Sequence, residues 1–452
     1  MTPETGAKPT IPRDLGDGLI LRRATVDDTA ALAAFNREIH CASDPPEVQN
    51  AMSVWIDVLM SGTHPGISAR DFTVVEDVST GAVVSSLCLI SQTWSYAGIP
   101  FGVGQVELVG TRPEYRRRGL VRAQFEAAHR WSSRRRHKGQ VVVGIPNFYR
   151  QFGYEMALEV GGSRIGFKAG VPAPKKGAKE PYRVRPATEA DLPFMARVYR
   201  DGMRRYLVSC VCGSAVWRYE LKGRNKRALE SRQLCLIEAA RGDRIGLLVH
   251  STELWDKTLG VLVYELRPGA NWLAPTRTVL RYLLATGEQC AVRGNKQFTS
   301  FAFRIGSQHP VYEVIPSRLP RTREPYAFYV RVPDLPDFIR HIAPVLERRL
   351  ADSPAVGHTG ELKLSFYQVG LRLVFDRGRL KQAEPWAPGE GLSAAFPGFT
   401  FLQLLFGRRS FDDLQSAYPD CYAADRGDDG DEVSLLLRVL FPKEPSLVWT
   451  PA

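Results

Sequence analysis

Three groups of residues in this sequence have the types and spacing to do chemistry together. In Val106-Glu107-Leu108-Val109-Gly110-Thr111 one carboxylate stands in an apolar run, where burial would lift its pKa toward the working range of a general base. After a short turn comes Arg116-Arg117-Arg118-Gly119-Leu120-Val121-Arg122, where cations and a glycine open a helical run. Free backbone N–H groups and a positive dipole end converge there and make an anion cradle. A pyrophosphate suits it, because adjacent phosphates take several N–H bonds while arginines add charge-assisted contacts. Further on, Phe148-Tyr149-Arg150-Gln151-Phe152-Gly153-Tyr154 carries a phenol, Tyr149, whose ordinary pKa of about 10 keeps it protonated at neutral pH. The plain structural alternatives are a solvated helix start, a salt-bridged strand glutamate and a tyrosine packed beside Phe148.

The elements that must position these groups follow from periodicity. Val106–Thr111 reads as a strand, and the helix after the turn runs through Ala123, Phe125, Ala127, Ala128 and Trp131, with Arg122, Glu126 and Arg130 on its other faces. Cations from Arg134 to Lys138, with Gly139 beyond them, mark its end, and Gln140–Ile145 reads as a buried strand leading to the tyrosine. Strand, R-x-x-G-x-V turn, helix, strand, then F-Y-x-x-x-G-Y is an order that resembles the GNAT superfamily of N-acetyltransferases. The resemblance implies that Val109, Gly110, Thr111 and Arg116 to Arg122 hold the pyrophosphate of acetyl-coenzyme A as co-substrate, and that Tyr149 protonates the departing thiolate. Val121 stands where many members have glycine or alanine; only a backbone amide is needed there. Acetyl transfer to an amine of pKa about 10 also needs a base, for which Glu107 is the candidate, and an oxyanion donor, for which the N–H of Val109 or Gly110 is placed.

Composition narrows the class. The chain has 452 residues, 44% hydrophobic and 24% charged, which is globular and long enough for two to four domains. No apolar leader and no spanning apolar stretch occurs, so a cytoplasmic protein with no membrane partner is expected. The seven cysteines are scattered, and Cys210-Val211-Cys212 lacks a second pair, so buried thiols are expected and no metal site. Net charge is +12, and ten Arg or Lys fall between Arg112 and Lys138. Beside a phosphate turn such a patch needs only a nucleotide-like ligand; aromatics do not interleave with it as on a single-strand platform, which leaves nucleic acid a minor alternative.

Taken in order, the chain repeats a phrase. Arg22, Ala24, Thr25 and Asp28 return at one constant offset as Arg185, Ala187, Thr188 and Asp191, which implies two copies of one domain type joined by the Pro- and Lys-rich stretch 171–180. In the second copy the turn is Arg267-Pro268-Gly269-Ala270-Asn271-Trp272, where Pro268 removes an N–H, so its cofactor site is expected to be lost. From about Val332 the pattern changes to amphipathic helices and short strands. The arrangement resembles the Eis-type (enhanced intracellular survival) acetyltransferases. The expected fold is therefore α/β with α+β mixed sheets: two tandem GNAT-type domains, residues 18–170 and 181–331, followed by a sterol-carrier-protein-like α+β domain, residues 332–452. The resemblance further implies that the terminal carboxylate, Ala452, reaches the active site. A homo-oligomer is among the expected states, and the acceptor is expected to be a primary amine of a small molecule or a lysine side chain. The competing reading is a lipid- or partner-binding protein that uses the GNAT units as scaffold, with the apolar run 395–407 lining a pocket.

Overall fold

The structure, a computed structural model, describes residues 11–173, 177, 179–424 and 429–449. Strands β1 (Arg13–Asp14), β2 (Leu19–Arg23) and β3 (Phe72–Asp77) lead into a long hairpin, β4 (Ala82–Tyr96) and β5 (Ile99–Thr111). Its turn, Ala97-Gly98, holds both residues at positive φ, the geometry that folds two twisted strands directly back on each other. Helices α1 (Thr29–Cys41) and α2 (Pro46–Met60) cover one face of this sheet, and α3 (Leu120–Arg134) covers the other. Strands β6 (Gly139–Val142) and β7 (Glu155–Phe167) complete the first stretch.

A second stretch repeats much of this order: β8 (Tyr182–Pro186), α4 (Leu192–Met203), β9 (Val208–Cys210), α5 (Ser214–Arg218), β10 (Arg232–Ala239), β11 (Arg244–Trp255), β12 (Thr258–Leu266), α6 (Leu273–Gly294), β13 (Ser300–Phe303), α7 (Pro310–Val314) and β14 (Arg321–Arg331). The repeated phrase builds the same corner twice. Arg22 bonds Asp28 through both terminal nitrogens and reaches Glu76 at 2.7 Å, and Arg185 does the same with Asp191 and Glu238. Thr25 with Asp28, and Thr188 with Asp191, form capping boxes in which each aspartate also accepts from the threonine N–H.

All fourteen strands form one mixed sheet in the order β1-β2-β3-β4-β5-β6-β14-β7-β13-β12-β11-β10-β8, with β9 paired to β4. Strand β14 lies antiparallel to both β6 and β7, so a segment from residues 321–331 fills the place between two strands of the first stretch. Its Tyr329 and Phe328 are buried there. A fragment ending at residue 170 lacks this strand and leaves facing edges of β6 and β7 unpaired. Expressed alone, that fragment should fail to give a cooperative thermal transition, whereas adding residues 310–331 as a separate peptide should restore one.

The remaining residues form β15 (Gly360–Ser365), β16 (Gly370–Asp376), β17 (Arg379–Trp386), β18 (Ala394–Ala395) and β19 (Tyr422–Ala423) with α8 (Leu335–Ala351), α9 (Phe401–Leu405), α10 (Phe411–Ala417) and α11 (Asp429–Leu440). They make a separate five-stranded sheet in the order β17-β16-β15-β18-β19. Phe338, Ile339 and Ile342 of α8 share one core with Trp94, Tyr96 and Phe101 of the β4–β5 hairpin. Phe396, Phe401, Leu404, Leu405 and Phe406 are fully packed in that same core, which gives the run 395–407 a structural use in place of a pocket wall. Leu447 bridges to Ser209, and Trp449 is buried against Tyr199 and Trp217, so the chain is docked on the second stretch as far as Trp449. Ala452 lies outside the described residues. Among the described residues no helix is long and apolar enough to cross a membrane.

Candidate active site

The site begins with a fault in β5. Opposite β4, Gly110 pairs with Ser86 and Glu107 with Cys88, so two residues of β5, Leu108 and Val109, stand against Leu87 alone. This β-bulge holds Leu108 at φ 57°, a left-handed conformation that costs energy in a residue with a side chain. On its other edge β5 pairs with β6 only from Val103 to Gln105. Beyond Gln105 the two strands part. The expected strand 140–145 therefore ends at Val142, and Val143 and Ile145 are exposed instead of buried, because the bulge bends their partner away.

The wedge opens into a cavity of about 960 Å³. Its walls include Glu107, Val109, Gly110, Thr111, Arg116, Arg117, Gly119, Leu120, Val121, Arg122 and Tyr149, so most of the residues singled out from the sequence meet in one place. Arg118 is absent from that lining and lies over the Tyr115 ring, 5.3 Å from its centroid. Tyr115 in turn donates to Asp77 at 2.7 Å, which fixes the turn that carries the arginines.

Helix α3 starts at Gly119, which has φ 75° and no capping side chain. The first-turn N–H groups of Leu120, Val121 and Arg122 are thus left for an incoming anion. Arg116, Arg117 and Arg118 are exposed around this end. A buried hydrogen-bonded chain holds the helix to the strand: Thr73 donates to Gln124, Gln124 to Ser85, and Ser85 to the Gly110 carbonyl, at 2.7, 2.6 and 2.7 Å. Gly110 has no side chain for a reason, since a Cβ there would lie 2.9 Å from Ile39 of α1. In the second stretch the matching helix α6 is closed differently: Asn271 accepts from the Leu273 N–H at 2.8 Å. Part of the basic run near α3 is tied down, Arg112 to Glu38, Arg135 to Asp71 and Lys138 to Asp337, and Arg23 from β2 stacks on Trp131.

Glu107 is half-buried in the cavity wall, and burial pushes its carboxyl up to about 7, with nearby Glu230 adding to the rise. Gln105 Nε2 donates to it at 2.5 Å and opposes the shift. Tyr149 lies in the short helical turn Phe148–Phe152, packed against Phe125, Phe148 and Tyr329. Burial pushes its phenol up to about 12, and the Glu107 charge acts in the same direction. Strand β14 shapes this wall, since Tyr326 donates to the Gly144 carbonyl at 2.8 Å and Tyr329 to that of Ile145 at 3.3 Å.

Four cavity residues carried no signal in the sequence. His40 at the end of α1 and Ile39, Met52 and Trp55, from α1 and α2, also line the cavity. His40 is partly open to solvent, and desolvation at the cavity holds its imidazole below its ordinary pKa, against a hydrogen bond to the Leu108 backbone. Helical periodicity marks such residues only as apolar-face positions, and nothing local tells which helix end will face a cleft.

Comparison with known proteins agrees with this geometry. Residues 23–157 match a family model described as an acetyltransferase (GNAT) domain. No curated protein sequence matches the chain. Among solved structures, the chain is similar to a conserved protein of Enterococcus faecalis described as a probable N-acyltransferase, with 14% identity, a TM-score of 0.66, and 96% of this chain and 99% of that one covered. It is similar to a GCN5-related N-acetyltransferase of Anabaena variabilis at 13% identity and TM-score 0.63, covering 95% and 99%. It is also similar to Eis1 of Mycobacterium abscessus at 12% identity and TM-score 0.55, covering 96% and 99%. At these identities the likeness is one of fold, and it extends along nearly the whole chain. The family match makes residues 23–157 a GNAT acetyltransferase domain and the chain an acyltransferase.

Proposed function

We propose that the chain is an acetyl-CoA-dependent N-acetyltransferase whose acceptor is a primary amine, of a small molecule or of a lysine side chain. The observation that carries this reading is the shared cavity: the uncapped start of α3, the arginines, Glu107 and Tyr149 all open into one space. When bound, acetyl-CoA supplies an activated thioester carbonyl. The first-turn N–H groups of α3 with Arg116, Arg117 and Arg122 are the residues that would hold its pyrophosphate. Glu107 takes the proton from the amine, which its raised pKa suits it to do near neutral pH. The N–H of Val109 or Gly110, at the unpaired edge of β5, meets the negative charge that develops on the carbonyl oxygen. Tyr149, protonated at neutral pH, donates to the leaving sulfur.

In the same reading, residues 18–170 and 181–331 are tandem GNAT-type units, the second without a cradle, and residues 332–452 are a sterol-carrier-protein-like unit that braces the β4–β5 hairpin. Ala452 would bring a second carboxylate to the cleft.

Calorimetry tests the cradle. One acetyl-CoA should bind per chain, and Arg116→Ala with Arg117→Ala should weaken binding by about tenfold or more. Charge-assisted bonds contribute about 1.5 to 3 kcal/mol each, and solvent at these exposed side chains takes back part of that. Unchanged affinity in the double variant, or two molecules bound per chain, would contradict the assignment.

A further inference from the structure

The Glu107 carboxylate is the end of a polar chain that crosses the β4–β5 hairpin. In the antiparallel register Trp94 faces Phe101, Gln92 faces Val103 and Cys88 faces Glu107. Opposed residues share a face and alternate residues return to it, so Trp94, Gln92, Gln105 and Glu107 all project to one side. The Trp94 indole N–H donates to Gln92 Oε1 at 2.8 Å, Gln92 Nε2 to Gln105 Oε1 at 2.6 Å, and Gln105 Nε2 to Glu107 Oε1 at 2.5 Å. Trp94 is 1% exposed and Gln105 3%, while Gln92 between them is half-buried.

A glutamine amide has two nearly equivalent ends, and its orientation follows from its partners. Here both outer partners are one-sided. An indole offers a donor only, and an ionised carboxylate offers acceptors only. With a donor fixed at one end and an acceptor at the other, one orientation of both amides satisfies all three bonds. Reversing Gln105 would place its carbonyl oxygen against the carboxylate, and reversing Gln92 would place its NH₂ group against the indole N–H.

We propose that Trp94, Gln92 and Gln105 are positioning residues for the base: Trp94 sets the polarity of the relay so that a donor always faces Glu107 Oε1, which leaves Oε2 to receive the proton of the amine. This rests on the reading of Glu107 as the base. The relay also connects the base to the second stretch of the chain. Strand β9 pairs with β4 at this point, Cys210 opposite Trp94, and Cys210 Sγ lies 4.0 Å from Gln92 Oε1. The other groups that face Glu107 are the Leu108 N–H, Cys88, Glu230 and Tyr149, with His40 in the same cavity wall. Glu230 and burial both favour the protonated form, so the relay donor and the Leu108 N–H are what oppose them.

The test is the pH profile of kcat/KM for the amine, at saturating acetyl-CoA, in Trp94→Phe and Gln92→Met, each made alone and combined with Glu107→Gln. Gln92 is half-buried, so its methionine variant decides the matter where the core change at Trp94 perturbs folding. The acid limb should move upward in each single variant, by at most about one pH unit, because a Gln105 amide released at its far end gives up part of its bond to the charged group. Turnover should recover at alkaline pH, and the KM for acetyl-CoA should not move. In the Glu107→Gln background neither change should have a further effect. An unmoved limb in Gln92→Met, or losses that multiply in the Glu107→Gln background, overturns the relay while leaving the base in place. Wild-type turnover in Glu107→Gln alone overturns both.

Discussion

Tyr149→Phe should lower kcat by about 10² to 10⁴-fold and leave acetyl-CoA affinity nearly unchanged, because a general acid acts on the leaving sulfur and adds little to ground-state binding. The phenol suits this role because burial pushes it up to about 12, which keeps its proton at neutral pH. Its position depends on the absence of a side chain at Gly144, where a Cβ would lie 2.2 Å from the Tyr149 ring. Gly144→Ala should therefore reproduce the loss with Tyr149 itself unchanged in the sequence, by displacing its ring. Stopped-flow measurement of the acetyl-transfer step separates these effects from product release. A Tyr149→Phe enzyme with wild-type rate in that step would remove Tyr149 from the chemistry.

Glu107→Gln should lower kcat/KM for the amine to a similar extent, about 10² to 10⁴-fold, and abolish the acid limb of its pH profile. The sign follows from the direction of the shift. A base must be ionised to work, and the Glu107 carboxyl is raised from an ordinary 4.5 to about 7, so wild-type kcat/KM should climb as pH rises through about 7. Stability should run the other way. The folded protein binds the Glu107 proton more tightly than the unfolded chain does, so this group's contribution is largest below pH 4.5 and is lost as pH rises through about 7. Glu107→Gln, which stays neutral, should gain thermal stability relative to wild type across that window. A variant that keeps both the limb and the wild-type rate would assign the proton to another acceptor; His40 is a titratable group that lines the same cavity.

What could be read from the sequence was local. A strand ending in a basic turn with glycine before a helix has one simple geometry, and β5, Gly119 and α3 adopt it. The repeated Arg-x-Ala-Thr-x-x-Asp phrase was legible for the same reason, since the arginine and the capping box close within seven residues. The missing parts depend on distant pairing. Strand β14 carries exposed residues Arg321 to Glu324 and a buried run Ala327 to Val330, a pattern that suits a strand in many places, and only tertiary structure puts it between β6 and β7. The bulge at Leu108 has no glycine to announce it. The relay joins residues from two strands whose register decides whether Gln92 and Gln105 meet at all, and a shift of one residue would turn them to opposite faces. Ile39, Met52 and Trp55 line a cleft that opens where β5 and β6 part beyond Gln105, and no local pattern announces it.

The most direct measurement of the whole account is release of free thiol from acetyl-CoA in the presence of a panel of primary amines, with the amine product weighed by mass spectrometry. The account predicts thiol release that depends on the amine, matches acetylated product one for one, and collapses in both Tyr149→Phe and Glu107→Gln. Binding of acetyl-CoA with no thiol release from any amine, or release that proceeds equally well without Glu107 and Tyr149, would contradict it.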